Sequence, residues 1–151
     1  MQRRTFIKLA TVAFMSFAGS PTFAAEFGTR EEAIAIVHRV QAKMKADGVE
    51  NTLKSITSKE FNDRDLYPYV YTFDGVARAH GVNAALVGQN LIEMKDPTGT
   101  PMIKNIVAMA QSPAPGWVDY KWPNPLTKKI DDKSAYVERS GDYAIGVGVY
   151  R

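Results

Sequence analysis

The feature that most limits what this chain can fold into is a change of hydrophobic period at Leu66. Before it, apolar residues recur at helical spacing; after it they alternate in twos. Thr29 followed three residues later by Glu32 makes a capping box, and Ala33, Ile36, Val37, Val40 and Met44 then keep to one helical face until Asp47-Gly48. This predicts a first helix over about 30–46. Val49, Leu53 and Ile56 repeat the spacing weakly, which suggests a shorter second helix ending in the polar stretch Asn62-Asp63-Arg64-Asp65. From Leu66, Tyr67, Tyr69, Tyr71 and Phe73 alternate with Pro68, Val70 and Thr72, and Asp74-Gly75 supplies a hairpin turn into Val76 to His80. Pro68 cannot donate to a ladder, so its strand lies at an edge or its ladder starts beyond that residue.

A looser stretch runs to Gly99, and Thr100-Pro101 reads as N-cap and first turn of a helix whose stripe is Ile103, Ile106, Val107 and Ala110. Three strand-like runs follow: Trp117 to Trp122, about Lys133 to Arg139, and Tyr143 to Tyr150, joined by segments rich in turn residues. Runs of antiparallel strands with helices set to one side make an α+β domain.

The chain carries 19 Lys+Arg against 16 Asp+Glu, which at first suggests an anionic partner. Three of those cations, Arg3, Arg4 and Lys8, precede an apolar run from Leu9 to Gly19 and the small-residue exit Thr22-Phe23-Ala24. This is the layout of an export signal, with cleavage expected after Ala24, and Arg3-Arg4 also fits the twin-arginine pattern. The apolar run is about half the ~20 residues that a bilayer crossing needs. We therefore read 1–24 as a signal peptide and 25–151 as one domain. That domain is formally neutral, which together with an extracytoplasmic address argues against nucleic-acid binding. No second stretch approaches membrane length, so a soluble periplasmic protein is expected. Absence of cysteine removes disulfides, thiolate metal sites and cysteine nucleophiles together.

Catalytic patterns are weak. The two histidines, His38 and His80, have no carboxylates at recognisable spacing, which gives no basis for acid–base work, a metal or a cofactor. His38 falls inside the first helix and reads as structural or surface. Gly146 and Gly148 lie within a strand, where close backbone approach or a bulge explains them better than a phosphate loop does. What stands out is aromatic content at sheet positions, since Tyr and Trp combine an apolar body with a polar tip and several on one face can line a dry pocket. A half-exposed sheet with good strand formers would look the same.

From Leu66 to Tyr150 the chain resembles the single Cache domain, the extracytoplasmic sensory module of bacterial chemoreceptors and sensor kinases, in its second single-domain subfamily. The resemblance is carried by Tyr69-Val70-Tyr71-Thr72-Phe73-Asp74-Gly75, Leu86-Val87-Gly88-Gln89-Asn90-Leu91, Lys95-Asp96-Pro97-Thr98-Gly99-Thr100-Pro101, Gly116-Trp117-Val118-Asp119-Tyr120-Lys121-Trp122-Pro123-Asn124-Pro125, Lys133-Ser134-Ala135-Tyr136-Val137 and Gly146-Val147-Gly148-Val149-Tyr150, in the family's order and spacing. It implies a PAS-like five-stranded antiparallel sheet with a long N-terminal helix along one side, and a small ligand held between the sheet and the 76–116 connection. Family members commonly bind short organic acids such as acetate, propionate, pyruvate or lactate.

On those grounds the ligand-binding residues are expected to be Tyr71, His80, Tyr120, Trp122, Lys133 and Tyr136, with Lys133 pairing the carboxylate. A small acid buried in such a pocket needs a cation or several donors. Strict alternation puts Lys133 and Tyr136 on opposite faces, so both reach one pocket only if the strand begins late or bulges. The family usually has His-Pro where this chain has His80-Gly81, and glycine is expected to leave that loop freer. The expected function is non-enzymatic: a free-standing periplasmic binding or sensing protein that acts with a membrane sensor kinase, chemoreceptor or transporter. The alternative is a ligand-free interaction module that pairs as a homodimer through its N-terminal helix or docks on a receptor.

Overall fold

The computed structural model describes residues 26–151, so the signal-peptide reading of 1–24 lies outside the described residues. Helix α1, Arg30–Asp47, opens with the expected capping box: Thr29 accepts from Glu32 N while Glu32 accepts from Thr29 N. It ends at Gly48, whose φ of 84° suits a residue without Cβ. Helix α2, Val49–Thr57, follows at once. The strands are β1 Pro68–Thr72, β2 Ala77–His80, β3 Gly116–Pro123, β4 Ile130–Ser140 and β5 Tyr143–Tyr150, and α3, Met102–Gln111, precedes β3. All pairings are antiparallel, in the order β2-β1-β5-β4-β3.

Pro68 is the first residue of β1, and β1 lies inside the sheet between β2 and β5. Of the two arrangements its missing N–H allows, an edge strand is ruled out, and the proline sits at the strand's mouth where its carbonyl accepts from Gly81 N at 2.9 Å.

Period-two alternation divides the sheet's contacts into two cores. Val70, Ala79, Ile145, Val147 and Val149 meet the α1 stripe Ala33, Ile36, Val37, Val40 and Met44. Tyr69, Tyr71, Val118, Tyr120, Ala135, Val137 and Ala144 meet Met102, Ile103, Ile106, Val107 and Ala110 of α3. Helices therefore cover both faces rather than one side. A buried α3 needs a roofing position because its apolar stripe cannot be left in water.

Helix α3 also starts later than its sequence suggests. Pro101 rather than Thr100 occupies the N-cap position, with no side-chain cap. Thr100 is already engaged: its N–H donates to Asp96 Oδ1 at 2.9 Å and its hydroxyl lies 3.1 Å from that of Thr98. No described helix is long and apolar enough to cross a membrane.

Candidate functional site

The α3 side of the sheet holds a small cavity. Its walls are Tyr69 and Tyr71 of β1, His80 of β2, Tyr120 and Trp122 of β3 and Lys133 of β4, and its roof is Met102, Ile103 and Ile106 of α3. Its enclosed free space is far smaller than the ~300 Å³ at which drug-sized pockets begin. Crowding leaves free room for about one ordered water molecule.

Lys133 is 1% exposed, and no acid lies within ion-pair distance of it among the described residues. Its Nζ donates to Tyr67 Oη at 2.8 Å and to Tyr150 Oη at 3.3 Å, and it stands 3.9 Å from the Tyr67 ring centroid. Tyr150 donates its own proton to Pro123 O at 2.8 Å. The 3.0 Å contact between the two hydroxyls must then be donated by Tyr67. Both oxygens thus accept from Lys133, and the third position on its nitrogen is left for the cavity. Burial pushes the amine well below its ordinary pKa, opposed by the charge of Asp65.

His80 closes β2 and is 3% exposed. Its Nδ1 accepts from Asn83 N at 3.1 Å and, at the longer 3.4 Å, from Val82 N. Burial and then the Lys133 charge lower its pKa to about 3. The ring is neutral, and with Nδ1 accepting, its proton sits on Nε2. The expectation of a freer His80 loop is overturned. Gly81 N donates to Pro68 O and Gly81 O accepts from Asn62 Nδ2, both at 2.9 Å, and a Cβ at 81 would come within 2.6 Å of Asn62 Oδ1. Proline could not make the first of these bonds, so glycine ties the segment down.

The tyrosines complete the donor set. Tyr69 Oη is fully buried without a hydrogen-bond partner. Burial drives its pKa up, and the neighbouring Tyr120 hydroxyl adds to the rise. Burial raises Tyr71 and Tyr120 as well. Walls of this kind offer N–H and O–H groups and no carboxylate, which suits a compact, acceptor-rich guest.

Five of the six expected residues, Tyr71, His80, Tyr120, Trp122 and Lys133, come together here. Tyr136 does not. β4 pairs without a bulge from Ile130 to Ser140, so the alternation that turns Lys133 inward turns Tyr136 to the α1 face. There its ring lies 5.5 Å from that of Trp117 and its hydroxyl donates to Glu138 at 3.3 Å. Tyr67 and Tyr69 belong to the aromatic run that the sequence marks as able to line a pocket, but the expected ligand-binding set left out Tyr69 and the acceptors Tyr67 and Tyr150. The step of two from Tyr71 back through Tyr69 to Tyr67 was the available signal.

The family model for Single Cache domain 2 matches residues 28–151. The sensor histidine kinase MctS of Rhizobium johnstonii is 32% identical over 97 residues, covering 63% of this chain and 21% of that protein. The methyl-accepting chemotaxis protein McpP of Pseudomonas putida is 30% identical over 90 residues, covering 58% of this chain and 16% of that protein. The match thus spans a minor part of both relatives. Among solved structures, a methyl-accepting chemotaxis protein of Vibrio parahaemolyticus superposes with a TM-score of 0.70 at 23% identity, over 80% of this chain and 87% of that one. A Cache chemosensory domain solved as the structural basis for carboxylic acid recognition gives a TM-score of 0.62 at 26% identity, over 80% and 86%.

Proposed function

The chain belongs to the Single Cache domain 2 family, and from that premise we propose that it senses a short organic acid outside the cytoplasm and acts with a separate membrane partner. Acetate, propionate, pyruvate and lactate are the size class. The observation that carries this reading is Lys133, a buried amine facing a cavity, with no acid at ion-pair distance among the described residues. An isolated charge in a protein interior is costly, and an entering carboxylate supplies what it lacks. His80 Nε2–H and the unpartnered Tyr69 hydroxyl add donors, while Tyr71, Tyr120 and Trp122 form the walls. The similar Cache domain that recognises carboxylic acid supports the ligand class. A periplasmic address, reached by cleavage after Ala24, and a sensor kinase, chemoreceptor or transporter as partner complete the proposal.

A thermal-melt screen against two- to four-carbon acids tests it. A ligand at 100 times its dissociation constant adds about 2.7 kcal/mol, worth several degrees in a domain of this size. Lys133→Ala is expected to abolish the shift. No shift across the panel, or one that survives Lys133→Ala, counts against this reading.

The tightness of the cavity favours the second reading, an interaction module whose pocket is filled by its own side chains. Pairing through α1 draws less support, because its apolar stripe is buried against the sheet. A flat melt panel together with self-association in solution would favour it.

A further inference from the structure

Gly148 lies within β5 opposite Ala135 of β4, in extended backbone without a positive φ. Its conformation does not ask for glycine, and glycine weakens a strand interior. The reason is steric. A Cβ at 148 would overlap Lys133 Cε outright and sit 2.8 Å from its Cγ and 2.9 Å from its Cδ. Lys133 leaves β4 opposite Tyr150, and its stem crosses β5 to reach the hydroxyl of Tyr67, next to β1. The cavity face of β5 is thin where it crosses: Ala144, Gly146 and Gly148 alternate with Ile145, Val147 and Val149, which face α1. Gly146 gives the Tyr69 ring the same passage in the other direction, since a Cβ there would overlap Tyr69 Cζ and Oη.

We propose that Gly148 is a positioning residue for ligand recognition, its missing side chain forming the slot across β5 that holds the Lys133 nitrogen at the cavity wall. This rests on reading Lys133 as the ligand's counter-ion. A methyl group at 148 would lift the stem off the sheet, where it would forfeit the Tyr67 and Tyr150 hydroxyls and take up the guest's own space.

The test uses Gly148→Ala and Lys133→Ala, singly and together, in melts without ligand and in titrations with whichever acid shifts the wild type. Gly148→Ala is expected to weaken binding about ten- to a hundredfold, the loss of one charge-assisted hydrogen bond. It should also lower the melting temperature when Lys133 is present. In the Lys133→Ala background the added methyl enters vacated room, so that loss should disappear; the same rescue decides the matter if Gly148→Ala alone does not fold. Wild-type affinity in Gly148→Ala overturns the proposal, as does equal destabilisation in both backgrounds. If the wild type responds to no acid, the functional reading fails and takes this one with it; a wild-type shift that survives Gly148→Ala sinks this one alone.

Discussion

The Lys133 nitrogen has two of its positions taken by tyrosine hydroxyls, so the third carries a lone pair when the amine is neutral and an N–H when it is protonated. Burial holds the empty-cavity pKa well below the ordinary lysine value. A carboxylate anion beside the nitrogen raises it again. In the pH window between those two values, the empty site is neutral and the occupied one protonated, so each anion bound draws in one proton. Linkage then fixes the sign: affinity for the anion falls as pH rises, by up to about tenfold per unit within the window. Titration calorimetry in buffers of different ionisation enthalpy should register uptake approaching one proton. Affinity independent of pH with no uptake would contradict it. Other ionisable groups around the nitrogen do not supply this proton: His80 is held neutral, and the neighbouring tyrosines are pushed upward. Lys133 was singled out on family resemblance, because a lysine that follows Asp131-Asp132 carries no local sign of burial. Its burial was illegible because the slot at Gly148 belongs to another strand.

At the scale of elements, the cavity's roof depends on a turn. Asp96 Oδ1 accepts from Thr98 N and Thr100 N at 2.9 Å and from the Thr98 hydroxyl at 2.7 Å, while Oδ2 accepts from Lys121 N of β3 at 2.8 Å. One carboxylate thus ties the lead-in of α3 to the strand bearing Tyr120 and Trp122. Burial pushes its pKa up, but these hydrogen bonds outweigh it and hold the group below the usual carboxylate range. A depressed folded-state pKa contributes stability that is present above about pH 4 and lost as pH falls through the folded value. Asp96→Ala is expected to cost about 2–4 kcal/mol in denaturant melts at neutral pH, and to weaken ligand binding by loosening α3. Its penalty should shrink in acid, where the wild type gives up the same bonds; an undiminished penalty at low pH would argue against the carboxylate. The strands, the turn at Asp74-Gly75 and both leading helices were legible because period and punctuation are local signals. The start of α3 was misplaced because Asp96 claims Thr100, a demand that no helix-start rule reads. Which face of β1 carried the cavity was hidden too: four of its five residues are buried, so alternation there separates two apolar faces rather than inside from outside.

Over the whole molecule, Asp65 connects the two faces of the sheet. It is 0% exposed, its Oδ1 accepts from Gly28 N at 2.6 Å just ahead of α1, and its Oδ2 has no partner. The same carboxylate acts electrostatically on Lys133. An unpaired oxygen in a buried carboxylate leaves it responsive to any charge that appears nearby. If a ligand draws a proton onto Lys133, the attraction between Lys133 and Asp65 strengthens, and Asp65 is the group that fastens the entry to α1. Hydrogen exchange at the first amides of that helix should therefore slow when the acid binds, although the acid sits on the opposite side of the sheet. Asp65→Asn isolates the charge, since its carbonyl can still accept from Gly28 N while carrying none. The variant should still bind, but the exchange response at α1 should vanish. A response of equal size in Asp65→Asn, or none in the wild type despite binding, would mean that occupancy reaches the long helix by packing alone or not at all.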